Sequence, residues 1–440
     1  TMTGTSQKTC QTHAFCSTFR GRKRRIYVGI SIRAPTAVAR SFDSSSRSKN
    51  HSIMFLAKKF AYALACAAVL FAACSDDDKP VLPEEEVSEK TVEAIVVNEG
   101  QMTKNLGSIS AIYSDGTVDA DIFRQVNNRP LGDVAQDIAL INGAYFVPIN
   151  NSHIIQVVDA KTFESKATIL APDITPTRIV AISDTEALVS AGYGKGFVRI
   201  STVEPYGEAT PEGGREVLEY IPTSGAGHYM AAVGNKLAVS TGSSTKGVVI
   251  YDLNKLNAEG NTLAVPHFGE KAKLLKDKNN IVWAIGEYKP DDNTKVIRCS
   301  GIDLAKEAVV STIDIPEALN ATSAKAGDLI SVPSYNRTDI ANNKLYFPVN
   351  VATEDGDLVS AEQGVYEVDV ETGTYRLYCM TPDLGMMFGF GVSPAGDVYV
   401  GDCINWSAQQ GYVRIYDRNG AHKDIKVGLY PTEVYFPDKQ

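Results

Sequence analysis

DIALINGAYFVPINNSHIIQVVDAKTFESKATIL, Asp137–Leu170, is the stretch whose reading decides the fold. It divides into four short runs: DIALING (Asp137–Gly143), AYFVPIN (Ala144–Asn150), IIQVVDAKTF (Ile154–Phe163) and ESKATIL (Glu164–Leu170). Apolar residues recur with a period of two, and Asn-Gly, Asn-Asn-Ser and Asp-Ala-Lys separate the runs. That is the pattern of strands joined by tight turns.

The unit repeats along the chain in degenerate form. RIVAISD (Arg178–Asp184), EALVSAG (Glu186–Gly192), GFVRIST (Gly196–Thr202) and EVLEYIP (Glu216–Pro222) make the next. YMAAVG (Tyr229–Gly234), KLAVSTG (Lys236–Gly242) and GVVIYDL (Gly247–Leu253) make a third, in which no outer run is evident. A fourth spans Lys273–Asn280, Ile281–Glu287, Lys295–Asp303 and Ala308–Ile315. The fifth spans Ser334–Ile340, Lys344–Asn350, Gly364–Gly373 and Thr374–Met380, and the sixth Phe388–Pro394, Asp397–Asp402, Tyr412–Gly420 and His422–Val427. Each third run tends to end in an acidic or Asn/Gly turn, a hairpin signal at one structural position.

The two ends supply a seventh unit. PTEVYFP (Pro431–Pro437) reads as an innermost strand with nothing after it. EAIVVNEG (Glu93–Gly100), SISAIYS (Ser108–Ser114) and TVDADIF (Thr117–Phe123) read as strands two to four without a first. Pairing them closes a ring and removes two exposed edges. The expectation is an all-β, seven-bladed β-propeller over residues 93–440, closed by the C-terminal strand joining the N-terminal blade. Only Pro316–Asn320 reads as briefly helical.

Upstream lies a different kind of sequence. Met54 is followed by Lys58 and Lys59, a short apolar run over Ala61–Ala73, and Cys74. The run is too short to span a bilayer, which takes about 20 apolar residues. The ending Leu70-Phe71-Ala72-Ala73-Cys74 resembles the lipobox of bacterial lipoproteins, which implies cleavage before Cys74 and lipidation of its thiol. Residues 54–73 are then a signal peptide and 74–92 a lipidated acidic tether, with Asp76–Asp78 and Glu84–Glu86. Such a tether cannot bury a core. The basic, Ser-rich residues 1–53 precede a complete signal and read as an upstream extension, translation starting at Met54.

Residues 1–74 hold 12 of the 43 Lys and Arg but one of the 52 Asp and Glu, so the remainder carries a net charge near −20. That field disfavours nucleic acid as a partner. Beyond Cys74 the thiols are Cys299, Cys379 and Cys403, without CxxC spacing. Structural zinc is not expected, and Cys379–Cys403 is the candidate disulfide.

His153, His228, His267 and His422 show no metal-ligand spacing, and no nucleophile elbow, Walker loop or dinucleotide fingerprint is present. GYGKG (Gly192–Gly196) has no helix after it and reads as a strand connection; Asp291-Asp292 and Glu354-Asp355 read as solvated loops. No catalytic residue, metal or cofactor is therefore expected. A propeller instead offers the end of its channel where loops join strand two to three and each outer strand to the next blade. Those loops place Arg129, Asn151, His153, Arg178, Tyr193, His228, Tyr229, Tyr288, Tyr335, Arg337, Phe388 and Trp406 on one end. Aromatics with convergent polar groups suit a large amphipathic ligand or a protein partner. The alternatives are a propeller hydrolase or lyase, in which His153 or His228 meets carboxylates, and a protein-binding scaffold.

Val97–Phe163 resembles the YncE-like propeller lipoproteins of Bacteroidetes, most closely at VNEG (Val97–Gly100), NNRPLGDVAQ (Asn127–Gln136) and the NNS…I.VVD run (Asn150–Asp159). The resemblance weakens downstream, although the blade layout continues to Pro437. Within that group the BtuG type captures vitamin B12 (cobalamin). The resemblance implies a seven-bladed propeller anchored in the outer membrane and facing the cell exterior. It further implies that the chain binds a corrinoid as cargo and docks on a BtuB-like TonB-dependent transporter.

Overall fold

In the computed structural model the repeated runs pair into blades. The structure describes residues 90–191, 196–223, 227–241, 247–265, 272–288, 296–316, 329–331, 337–352, 364–382, 384–405, 407 and 409–439. Among these, seven sheets of four or five strands follow one another along Val87–Gln440. From the inner edge outward, blade one is Pro431–Tyr435, Val92–Asn98, Ser108–Tyr113 and Val118–Asp119. Blade two is Ala139–Ile141, Ala144–Ile149, Ile154–Asp159 and Ser165–Leu170, with Arg215–Glu216 added parallel to its outer strand. Blade three is Pro176–Ala181, Glu186–Ala191, Phe197–Ser201 and Glu219–Ile221. Blade four is Gly227–Val233, Lys236–Thr241, Gly247–Asp252 and Asn261–Ala264.

Blade five is Leu275–Lys276, Val282–Tyr288, Val296–Asp303 and Ala308–Pro316. Blade six is Asp339–Ala341, Lys344–Ala352, Gly364–Asp369 and Tyr375–Met380, and Leu329–Ser331 pairs with the far half of Lys344–Ala352. Blade seven is Met387–Val392, Val398–Asp402, Gly411–Tyr416 and His422–Val427. The expected closure is present: Ile95 pairs with Tyr435, Val96 with Val434 and Val97 with Glu433, antiparallel.

The core is a ring of seven apolar clusters, each shared by two consecutive blades. The pleat explains this. In Ala144–Ile149, Tyr145 and Val147 face blade one beside Ile95 and Ile109, whereas Ala144 and Phe146 face blade three beside Ala187 and Val189. Successive side chains point to opposite faces, so a strand clamped between blades must be apolar on both. The seventh cluster joins Tyr399, Val413 and Ile425 of blade seven to Ala94, Ile112 and Val434 of blade one. Burying each such aliphatic side chain contributes roughly 1.5–3 kcal/mol.

The acidic turn after the third strand has a definite job. In six blades an Asp there accepts backbone N–H bonds from the turn: Asp115, Asp159, Asp252, Asp303, Asp369 and Asp417. Each closes the hairpin with an Asx turn.

Three expectations are corrected. Thr117–Phe123 is not a strand throughout: it stops at Asp119, and a helix runs over Ile122–Asn127. Asp121 caps that helix on Arg124 N–H, left-handed Asn128 ends it, and Ile122 and Phe123 bury into the cluster between blades one and two. Blade four does possess an outer strand, Asn261–Ala264, largely exposed and therefore without alternation. Cys379 and Cys403 do not pair; both are free, buried thiols, and Cys403 Sγ lies 3.6 Å from the Met386 carbonyl. The helical reading at Pro316–Asn320 falls outside the described residues except for Pro316, which ends a strand.

Candidate functional site

The inner strand of every blade is a sheet edge and leaves backbone N–H groups toward the channel. Such groups need partners. Asp137, just ahead of the inner strand of blade two, accepts the Ile179 N–H of blade three at 3.0 Å. Asp339 of blade six likewise accepts the Val392 N–H of blade seven at 2.8 Å.

These carboxylates belong to a ladder of ion pairs across the ring. Arg178 of blade three lies 4.0 Å from Asp137 and 3.8 Å from Glu433 of blade one. Lys273, leading into blade five, donates to Glu433 at 2.6 Å, and Lys439 pairs with Asp339. The Arg178, Glu433, Asp137 and Lys273 side chains are only 10%, 13%, 16% and 18% exposed, so solvent screens them little. Arg178 also donates to the Gln136 carbonyl at 2.6 Å and lies over the Tyr229 ring of blade four at 4.3 Å.

Environment sets the protonation states. Burial opposes the Lys273 charge, but Glu433 and Asp339 outweigh it and raise its pKa. Burial raises the Asp137 carboxyl despite Arg178 opposite, and the nearby Glu433 adds to the rise. Glu99, half-buried just after Val92–Asn98, is raised to about 7: burial dominates, partly offset by Arg178 and a hydrogen bond from Gln136.

A second cluster stands beside it at the loop end. Glu99 N–H donates to the Tyr430 carbonyl at 2.8 Å, and the Tyr430 ring meets Phe388 at 5.4 Å. Arg337 Nε donates to the Phe388 carbonyl at 3.1 Å, with its guanidinium 5.9 Å from that ring. At the opposite, turn end, a cleft of about 940 Å³ is lined by Lys276, Asn280, Asn342, Asn343, Asp438 and Lys439, among others.

Of the residues expected at the loop end, the structure gathers Arg178, Tyr229, Arg337 and Phe388 around the channel. His228 is buried on the same inner strand as Tyr229, its carbonyl bonded by Ser190 Oγ at 2.9 Å. Asn151 and His153 stay on blade two: Asn151 donates to Asp133 at 2.6 Å, and His153 Nδ1 lies 2.6 Å from the Ile174 carbonyl. Tyr288 lies under Arg298 at 3.8 Å, on the body of blade five. Arg129 is carried away from the loop end, donating to Ser165 Oγ at 2.8 Å just after the hairpin turn of blade two. Tyr193, Tyr335 and Trp406 lie outside the described residues.

Sequence reading missed Glu99, Asp137, Lys273, Asp339, Tyr430, Glu433 and Lys439. A signal existed for three of them: Gln136-Asp137-Ile138, Thr338-Asp339-Ile340 and Thr432-Glu433-Val434 repeat the polar–charged–aliphatic order of Thr177-Arg178-Ile179 at four inner-strand starts.

Over residues 94–326 the sequence matches the family described as "Domain of unknown function (DUF5074)". The chain belongs to the DUF5074 family. No curated protein matches it. Among solved structures, this DUF5074 chain is similar to a quinonprotein alcohol dehydrogenase-like protein of Bacteroides thetaiotaomicron, at 14% identity and TM-score 0.54, covering 79% of each chain. It is also similar to a protein from Lactobacillus plantarum, at 14% identity and TM-score 0.49, over 79% of this chain and 100% of that one. Hydrazine synthase of Kuenenia stuttgartiensis follows, at 11% identity and TM-score 0.48, over 69% and 92%. At these identities the likeness concerns the fold alone. Among the described residues of the DUF5074 chain, no three His, Cys, Asp or Glu side chains form a group able to hold a metal ion, and no helix is long and apolar enough to cross a membrane.

Proposed function

We propose that this chain is a surface lipoprotein, anchored through Cys74 in the outer membrane, that captures a corrinoid at the loop end of its ring. It then passes the cargo to a BtuB-like TonB-dependent transporter. One observation carries the reading. The loop end gathers the half-buried Phe388 ring and Arg337 beside the buried Tyr229 and Tyr430 rings and Arg178, while the carboxylates Asp137, Asp339 and Glu433 are engaged in ion pairs. Flat aromatic faces beside fixed polar groups suit capture of a large amphipathic molecule. The lipobox and the resemblance of Val97–Phe163 support the location and the ligand class. In this reading the corrinoid is cargo, and the chain performs no catalysis.

Equilibrium titration with cyanocobalamin and cobinamide tests it. Saturable binding with a micromolar or tighter Kd is expected, and absence of binding by both at micromolar ligand overturns the corrinoid assignment. One feature favours a second reading, a hydrolase or lyase: the Glu99 carboxyl, raised to about 7 beside Arg178, matches a general acid or base. Hydrolytic or lyase turnover that Glu99→Gln abolishes without lowering the Tm would establish that reading instead.

A further inference from the structure

We propose that Arg337 is the anion-recognising residue of the loop-end site, its Nη1–Nη2 edge taking an oxyanion of the ligand, a phosphodiester or a carboxylate. This rests on the loop end being the ligand site, but not on the ligand being a corrinoid.

The contrast with the other channel cations carries the inference. Arg178 is flanked by Asp137 and Glu433, Lys273 is held by Glu433, and Lys439 by Asp339. No carboxylate among the described residues pairs with Arg337. Among the described residues its hydrogen bond runs from Nε to the Phe388 carbonyl, and that bond fixes the guanidinium plane. Because Nε is occupied, the edge that remains is the one formed by the two terminal nitrogens, to which no described residue is bonded, the fork that meets an oxyanion with two parallel hydrogen bonds.

The electrostatic surroundings agree. Burial is what most opposes the Arg337 charge and lowers its pKa, and the groups that act on it after that are Tyr229 and Cys403. Both are neutral at physiological pH, burial raising the phenol and pushing the thiol up to about 11. Arg337 is half-buried, so its charge has lost part of its hydration without gaining a carboxylate partner among the described residues. A ligand oxyanion restores that balance, and an apolar or cationic group does not. The Phe388 ring, tilted against Tyr430 beside the guanidinium, gives the remainder of the ligand an apolar face.

Calorimetric titration of the full chain with dimethyl phosphate and with acetate tests the inference. Wild type is expected to bind at least one of them saturably, and the tighter of the two identifies the source of the oxyanion. Arg337→Gln should weaken that binding by about tenfold or more, and Arg337→Lys, which keeps the charge but lacks the fork, by about tenfold. Should Arg337→Gln fail to fold, the lysine variant decides. Equal binding by the folded variant and wild type, or no saturable binding by wild type up to ~100 mM of either anion, overturns the proposal. Loss of anion binding in a protein that ignores cobalamin would retain this inference and reject the corrinoid. Cobalamin binding that is indifferent to Arg337 would do the reverse.

Discussion

At Glu99 the fold holds a carboxyl in surroundings that favour its neutral form. Its pKa rises from 4.5 to about 7 on folding because burial outweighs Arg178 and Gln136. The folded state therefore binds the extra proton between those values, so the contribution of Glu99 is fully present below pH 4.5 and is lost as pH rises through about 7. Glu99→Gln should melt at a higher temperature than wild type at pH 8, by the equivalent of roughly 1–2 kcal/mol after allowing for partial exposure, and the advantage should shrink towards pH 5. A pH-independent difference in Tm would contradict this assignment. Glu433 is the converse case, a carboxylate answering both Arg178 and Lys273. Glu433→Gln leaves two mostly buried cations short of a partner and should cost about 3–5 kcal/mol, read as a fall in urea midpoint.

Among the elements, the strands clamped between blades were the legible ones. Ala144–Ile149 and Lys236–Thr241 must be apolar on both faces, and their Asp or Asn-Gly turns mark the ends. Asn261–Ala264 escaped notice because an exposed outer strand needs no such pattern. The helix Ile122–Asn127 escaped because six residues are too few to display a period. The charged channel was hardest to see: its charges are scattered over several blades, and the partners Lys273 and Glu433 are 160 residues apart. Closure also explains two glycines of blade seven. Gly389 and Gly401 pair with each other, and a Cβ on them would fall 2.5 and 2.3 Å from the Pro431 carbonyl as the chain crosses to blade one. Gly401→Ala should therefore lower stability by about 1–3 kcal/mol, measurable as a lower Tm; an unchanged Tm would mean that the crossing is loose.

For the whole molecule, the ring depends on its last strand. Removing Pro431–Gln440 strips the inner strand from blade one, unburies Val434 and Phe436, and deletes Glu433 and Lys439 from the ion ladder. The two apolar losses alone amount to roughly 1.5–3 kcal/mol each, against a total stability of about 5–15 kcal/mol for a typical protein. The truncated chain should be unfolded or aggregated by circular dichroism and light scattering. An intact ring matters because the loop end draws its groups from many blades: Arg178 from blade three, Tyr229 from blade four, Arg337 from six and Phe388 from seven. The most direct measurement is a cyanocobalamin titration of wild type beside Phe388→Ala, with melting curves to show that both are folded. The account predicts saturable binding by wild type and binding about tenfold weaker for the variant, the loss of one aromatic contact face. No binding by wild type, or equal binding by both, would contradict corrinoid capture at the loop end.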